Sequence, residues 1–300
     1  MERTVRRADP EIGYTWFESE GEYYVRNADG DLRRVSDDAF RLLSELADGE
    51  VSVDDLPENA RDIVDTLREE GYLREDDPVV EIVPPEDVTL WPRVLAFLLL
   101  FGVGVVAAFR ELPTVVPVDG LFTPTSAAAF VALLVVSVVV HESGHYLVAS
   151  RHCNPTLRFG TVNRVIPAAI TNTTDAWMLP RNRRLWITIA GPFAHLLWVS
   201  GLVGVHYLLF PENVLLSVLI VSNVAYVASA LNPLIHGDGY WLVLDAFDIV
   251  DLRTRGIADL RDRTLSPAAA YVVVSYGFAG VLVAFVVAAV AATLGIRIGL

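Results

Sequence analysis

The sequence predicts an α-helical multi-pass membrane protein of about five transmembrane helices, carrying a small N-terminal α+β domain of winged-helix type. Three observations lead there. Five apolar stretches after residue 90 reach or approach the roughly 20 residues a helix needs to cross a hydrocarbon layer. Residues 1–80 hold 23 acidic and 10 basic side chains, so −13 of the net −14 sits in the first quarter of the chain. Between these two compositions lies an acidic, proline-bearing segment, residues 74–89, that reads as a linker. The divisions are therefore 1–78 for the acidic domain, 79–92 for the linker and 93–300 for the membrane domain.

The charge distribution argues against nucleic acid as a partner, because phosphate neutralisation needs a basic surface. Every basic residue is arginine, a usage that resembles surfaces adapted to a salt-rich cytoplasm. The single cysteine, Cys153, excludes an internal disulfide and a cysteine-built zinc site and reads as a small apolar residue. The first thirty residues lack a basic start followed by an apolar core, so no cleavable signal is expected and the N-terminus should stay in the cytosol.

Within the acidic domain, Tyr23–Arg26 and Leu32–Val35 flank Asn-Ala-Asp-Gly-Asp, a hairpin turn. Ser36 should cap a helix that opens on Asp37 and Asp38 and buries Phe40, Leu42, Leu43 and Leu46. A helical piece at Val53–Leu56 and a helix at Ala60–Glu70 follow. Gly71 ends the latter, and Tyr72-Leu73 returns as a strand.

The apolar stretches are Val94–Phe109, Ser126–Ser150, Leu185–Phe210, Val214–Leu231 and Pro267–Ile296. Arg93 and Arg110 can extend outward from the ends of the first, which is short. With the N-terminus inside, loops 112–124 and 211–213 face outward without arginine, and the arginines at 151, 158, 164, 181, 183, 184, 253, 255, 261 and 263 lie on the inner side. That obeys the positive-inside rule. Loop 151–184 contains alternating segments such as Leu157–Val162 that could add strands beside a site.

At the inner end of the second span the chain reads His141-Glu142-Ser143-Gly144-His145. On a helix, His141 and His145 stand one turn apart on one face, where two imidazoles can hold one zinc ion while Glu142 holds a water. A five-residue pattern of this kind also occurs as a charged surface turn. Ionisable groups inside an apolar span are expensive, however, and point to function. The fourth span ends in Leu-Asn-Pro-Leu-Ile-His-Gly-Asp-Gly-Tyr-Trp. Pro233 stops the helix, Asn232 is driven toward extended backbone, and Gly237 and Gly239 loosen the chain around Asp238. Irregular backbone at membrane depth survives only where protein or a watery cavity satisfies it. A catalytic zinc takes three protein ligands, and two histidines with one carboxylate meet that need, so Asp238 is the third ligand and His236 its rival.

Taken together, these two motifs resemble the site-2 protease family of intramembrane zinc metalloproteases, over about residues 90–250. The continuation Asp-Gly-Tyr-Trp-Leu-Val-Leu-Asp resembles the branch called peptide zinc metalloproteases, associated with peptide maturation. The phrases Val-Ser-Asp-Asp-Ala-Phe-Arg-Leu-Leu and Leu-Arg-Glu-Glu-Gly-Tyr-Leu resemble PqqD-like domains, which bind leader peptides as an added strand. The resemblance implies one Zn2+ per chain on His141, His145 and Asp238, Glu142 as general base, and a membrane-associated peptide or protein as substrate. Asn232 is expected to donate to the peptide or the developing oxyanion. Gly144 and Gly191 are expected to permit close helix packing, and Pro192 to kink the third span. His195 and His206 read as satisfied buried histidines, and His152 as interfacial. Asp245, Asp248 and Asp251 read as a solvated or arginine-paired face. Six histidines are too few for a membrane di-iron desaturase. A prenyl-protein-type protease would need a later glutamate than this chain places suitably. The non-enzymatic alternative is a membrane-anchored peptide-binding module.

Overall fold

The computed structural model describes residues 15–19, 21–26, 32–47, 51–73, 80–81, 87–115, 123–153, 155–162, 166–173, 176, 179–249 and 252–293. The Asn-Ala-Asp-Gly-Asp turn, most of the acidic segment 74–89 and Asp251 lie outside them. The chain forms two compact units, one from residues 1–102 and 127–198, the other from 103–126 and 199–300.

The first unit opens with strands β1 (Thr15–Ser19), β2 (Glu22–Arg26) and β3 (Leu32–Val35), then helices α1 (Asp37–Ala47) and α2 (Glu58–Glu69). The β2–β3 pairing is antiparallel, with Tyr23 opposite Val35. The Ser36 hydroxyl accepts from the Ala39 amide at 3.2 Å and so caps α1. Leu42 and Leu43 of α1 join Val25, Leu56, Val64, Leu67 and Leu73 in a buried core, with Phe40 and Leu46 partly buried against it. The expected helical piece at 53–56 is a single 3-10 turn, Val53–Asp55.

Tyr72 and Leu73 do not form the expected strand. Gly71 adopts a left-handed φ of 80°, and the amides of Tyr72 and Leu73 both turn back to the Leu67 carbonyl. Their donors terminate α2 and are therefore unavailable to a sheet. The fourth strand is instead β4 (Val80–Glu81), parallel to β1, in the order β3-β2-β1-β4.

Helices α3 (Trp91–Val115), α4 (Pro124–Ala149) and α5 (Arg181–Leu209) follow, with α5 running through Pro192. Between α4 and α5 lies a hairpin of β5 (Thr156–Val162) and β6 (Ile166–Asn172), paired from Thr156↔Asn172 to Val162↔Ile166. Helices α4 and α5 meet closely, since a Cβ at Gly144 would stand 2.2 Å from the Ala190 carbonyl oxygen. The Trp198 indole donates to Ser137 Oγ at 2.8 Å along the same seam. Cys153 is buried beside Ala149, Ala176, Leu179 and Ile187, as a small apolar residue would be.

In the second unit, α6 (Val214–Ala230) is followed by a break, α7 (Asp238–Phe247), α8 (Leu252–Arg261) and α9 (Pro267–Thr293). Among the described residues, four helices, in α3, α4, α5 and α9, are long and apolar enough to cross a membrane. The expected fifth, α6, has 17 residues and a length of about 26 Å, short of the roughly 30 Å hydrocarbon layer. Only 11% of the most apolar window of α4 is buried. Its outward side chains, Val131, Val135 and Val139 among them, form the apolar exterior that lipid favours and water does not.

Candidate metal centre

His141 and His145 lie on α4 and are both buried. His145 Nδ1 sits 2.8 Å from the Ile187 carbonyl oxygen of α5. A carbonyl only accepts, so Nδ1 carries the proton and Nε2 keeps its lone pair, the arrangement by which a backbone carbonyl orients a ligating histidine. That Nε2 is 3.3 Å from His141 Nε2. Two nitrogens on one tetrahedral zinc, each at about 2.0–2.1 Å, stand about 3.3–3.4 Å apart, so the pair has the spacing of two ligands on one ion.

Gly191 on α5 completes this half. A Cβ there would lie 2.1 Å from His145 Nε2, so a side chain would occupy the position the ligand nitrogen faces. Packing alone was the sequence expectation for Gly191; the residue also leaves the space beside His145 Nε2 clear of a side chain. His195, fully buried on the next turn of α5, stacks edge-on against His141 with ring centroids 5.6 Å apart.

Glu142 points to the hairpin. Its Oε2 accepts from the Thr171 amide at 2.9 Å and from the Thr171 hydroxyl at 2.7 Å, both on β6. The expected strand beside the site is therefore present. The sequence indicated Leu157–Val162, but nothing in it distinguishes Thr171 from the neighbouring threonines.

In the second unit the helix breaks where Pro233 requires, and residues 231–237 are non-helical. The exposed carbonyls of Pro233 and Leu234 are satisfied by the hydroxyls of Tyr271 and Ser275 on α9, each at 2.6 Å. Asn232 Oδ1 accepts from the Leu234 amide at 2.9 Å, an Asx turn that leaves its side-chain NH2 as donor. Asp238 is the first residue of α7, after Gly237, where the helix dipole favours a carboxylate. Gly239 allows the chain to double back, because a Cβ would stand 2.2 Å from the Leu231 carbonyl oxygen.

One ligand atom from each of His141, His145 and Asp238 falls within 4.8 Å of the others, and this group could hold a metal ion. His236 is not a member of that group. Its ring stacks on Tyr240 at 4.9 Å and meets Trp241 edge-on at 5.6 Å, and burial, then Arg253, holds its pKa below the usual value.

Of the aspartates expected on a solvated or arginine-paired face, Asp245 is buried and so not solvated, whereas Asp248 is exposed and caps α7 with a left-handed φ of 48°. Glu111, which the sequence did not single out, is buried on α3. It accepts from Tyr207 at 2.6 Å and Ser217 at 2.7 Å, and His206 Nε2 lies 3.3 Å away. His206 is thus buried as expected, with Nε2 beside Glu111, but its Nδ1 has no hydrogen-bond partner among the described residues. His152 accepts from an Arg183 N–H at 2.6 Å.

Comparison with protein-family models, with curated proteins and with solved structures finds no match for this chain.

Proposed function

We propose that this chain is an intramembrane zinc metalloprotease of the site-2 protease type, cutting a peptide bond in a membrane-associated peptide or protein, with a role in peptide maturation. The observation that carries the reading is the pair of buried imidazoles with facing Nε2 atoms 3.3 Å apart, one of them oriented by a backbone carbonyl. Asp238 within reach supplies the third ligand, and Glu142 follows directly after the first. The PqqD-like front end would deliver the substrate from the cytosol, with the chain crossing the membrane several times.

A zinc ion bound there would lower the pKa of its water toward about 7 and polarise the scissile carbonyl. Glu142 takes the proton of the attacking water and delivers it to the leaving amide nitrogen. The Asn232 side-chain NH2, left as donor by its own Asx turn, would donate to the peptide or its developing oxyanion. The buried surroundings of both histidines exclude bulk water from the ligands.

Comparative peptide mass spectrometry of membranes carrying the wild type or Glu142→Ala tests the proposal. A species that stays full length only with the variant is the substrate. Identical peptide profiles, together with no stoichiometric zinc in the purified chain, would leave the membrane-anchored binding module as the better account.

A further inference from the structure

We propose that Thr171, on the hairpin between α4 and α5, is the residue that positions the general base. This inference rests on the hydrolase reading above and adds a second element to its machinery.

The Glu142 side chain has three rotatable bonds, and as a base it must keep one oxygen aimed at a water while the rest of the carboxylate stays still. Thr171 provides that restraint. Its amide and its hydroxyl converge on the same oxygen, Oε2, at 2.9 and 2.7 Å. Among the described residues Oε1 takes no hydrogen bond, so it is the oxygen left to accept a proton. Hydrogen bonds to an ionised acceptor are about twice as strong as neutral ones, and two on one oxygen fix the carboxylate plane. The amide donor comes from β6 itself, whose ladder with β5 places Leu157 opposite Thr171. The hairpin therefore holds the base through its backbone and tunes it through one side chain. Thr171 Oγ1 also lies 3.3 Å from the Glu142 carbonyl oxygen, which brings the β6 hydroxyl against the α4 backbone at the same residue.

Valine at 171 keeps the shape and the amide donor and removes only the hydroxyl, whereas serine keeps the hydroxyl. Rates are read in membranes of cells expressing the full chain, as release of the fragment that Glu142→Ala membranes lack, with zinc content of each purified variant measured in parallel. Thr171→Val is expected to slow release about tenfold with zinc content unchanged, and Thr171→Ser to stay within about twofold of wild type. Independently of any substrate, thermal unfolding of the purified chain in detergent forms a double-mutant cycle: Thr171→Val should lower the midpoint more in the native background than in Glu142→Ala, where only the contact with the backbone carbonyl of position 142 is lost. Full-rate release by Thr171→Val, a serine variant as slow as the valine one, or an equal drop in midpoint in both backgrounds overturns the assignment. If Glu142→Ala itself releases the fragment at the wild-type rate, the protease reading fails and the catalytic role of Thr171 with it. The unfolding cycle still reports whether the Thr171–Glu142 tie exists.

Discussion

Replacing Gly191 with alanine probes the histidine pair without touching a ligand. The added methyl would stand 2.1 Å from His145 Nε2, 2.5 Å from Cδ2 and 2.6 Å from Cε1. Ordinary contact begins near 3.4 Å, so the ring must retreat by about 1.3 Å. It has little room to do so while Nδ1 keeps its 2.8 Å bond to Ile187. Metal–ligand distances tolerate about 0.2 Å, so a displacement several times larger takes Nε2 out of coordination range. Loss of orientation alone at a ligating histidine weakens metal binding 10–100-fold, and here the ligand itself moves. Gly191→Ala should therefore lower zinc affinity at least about 100-fold, about 2.7 kcal/mol. The assay is competition against a calibrated chelator, followed by elemental analysis of the purified chain. Gly201→Ala on the same helix is the control: nothing lies within 4 Å of its Cβ, so zinc affinity should not change. Wild-type zinc affinity in a folded Gly191→Ala chain would refute the placement of His145 as a ligand.

Other outcomes follow from the same geometry. Gly144→Ala pushes a methyl against the Ala190 carbonyl and should destabilise the folded chain by about 1–3 kcal/mol, read from its thermal midpoint. Glu111→Ala removes the acceptor shared by Tyr207, Ser217 and His206; at about 0.6 kcal/mol for each membrane hydrogen bond, stability should fall by about 2 kcal/mol with zinc content unchanged. Removing metal with a chelator should abolish fragment release and zinc should restore it, while Asp238→Asn should not recover at equal zinc. For His152, burial first, then Arg183 and Arg151, holds the pKa below the ordinary 6.5. The unfolded chain then binds the proton more readily, so this contribution is complete above about pH 6.5 and is lost as pH falls below it. Midpoints measured from pH 7.5 to 5 should fall less steeply for His152→Gln, and parallel slopes would exclude the effect.

The helices, their order and the two motifs were legible in the sequence because each rests on local rules. Apolar runs of sufficient length, arginines at their ends, Pro233 as a helix stop and histidines four apart all act over a few residues. The departures arise from partners and surroundings that the pattern of residue types does not display. Tyr72 and Leu73 alternate like a strand, yet their amides are already committed to the cap of α2. Asp245 has the spacing of a solvated or arginine-paired face, and its burial removes the solvated alternative.

By itself, then, the sequence specified which residues could bind a cation and roughly where the chain must bend, since those follow from side-chain chemistry and backbone permission at each position. Tertiary structure alone decided how the candidate site residues are held. The carbonyl of Ile187 selects the His145 tautomer, the missing side chain of Gly191 leaves the space beside its Nε2 clear, and Thr171 fixes Glu142. These partners lie 29 to 46 residues from the groups they orient, and hydrogen bonding across such a separation depends on packing, not on any periodicity a sequence displays.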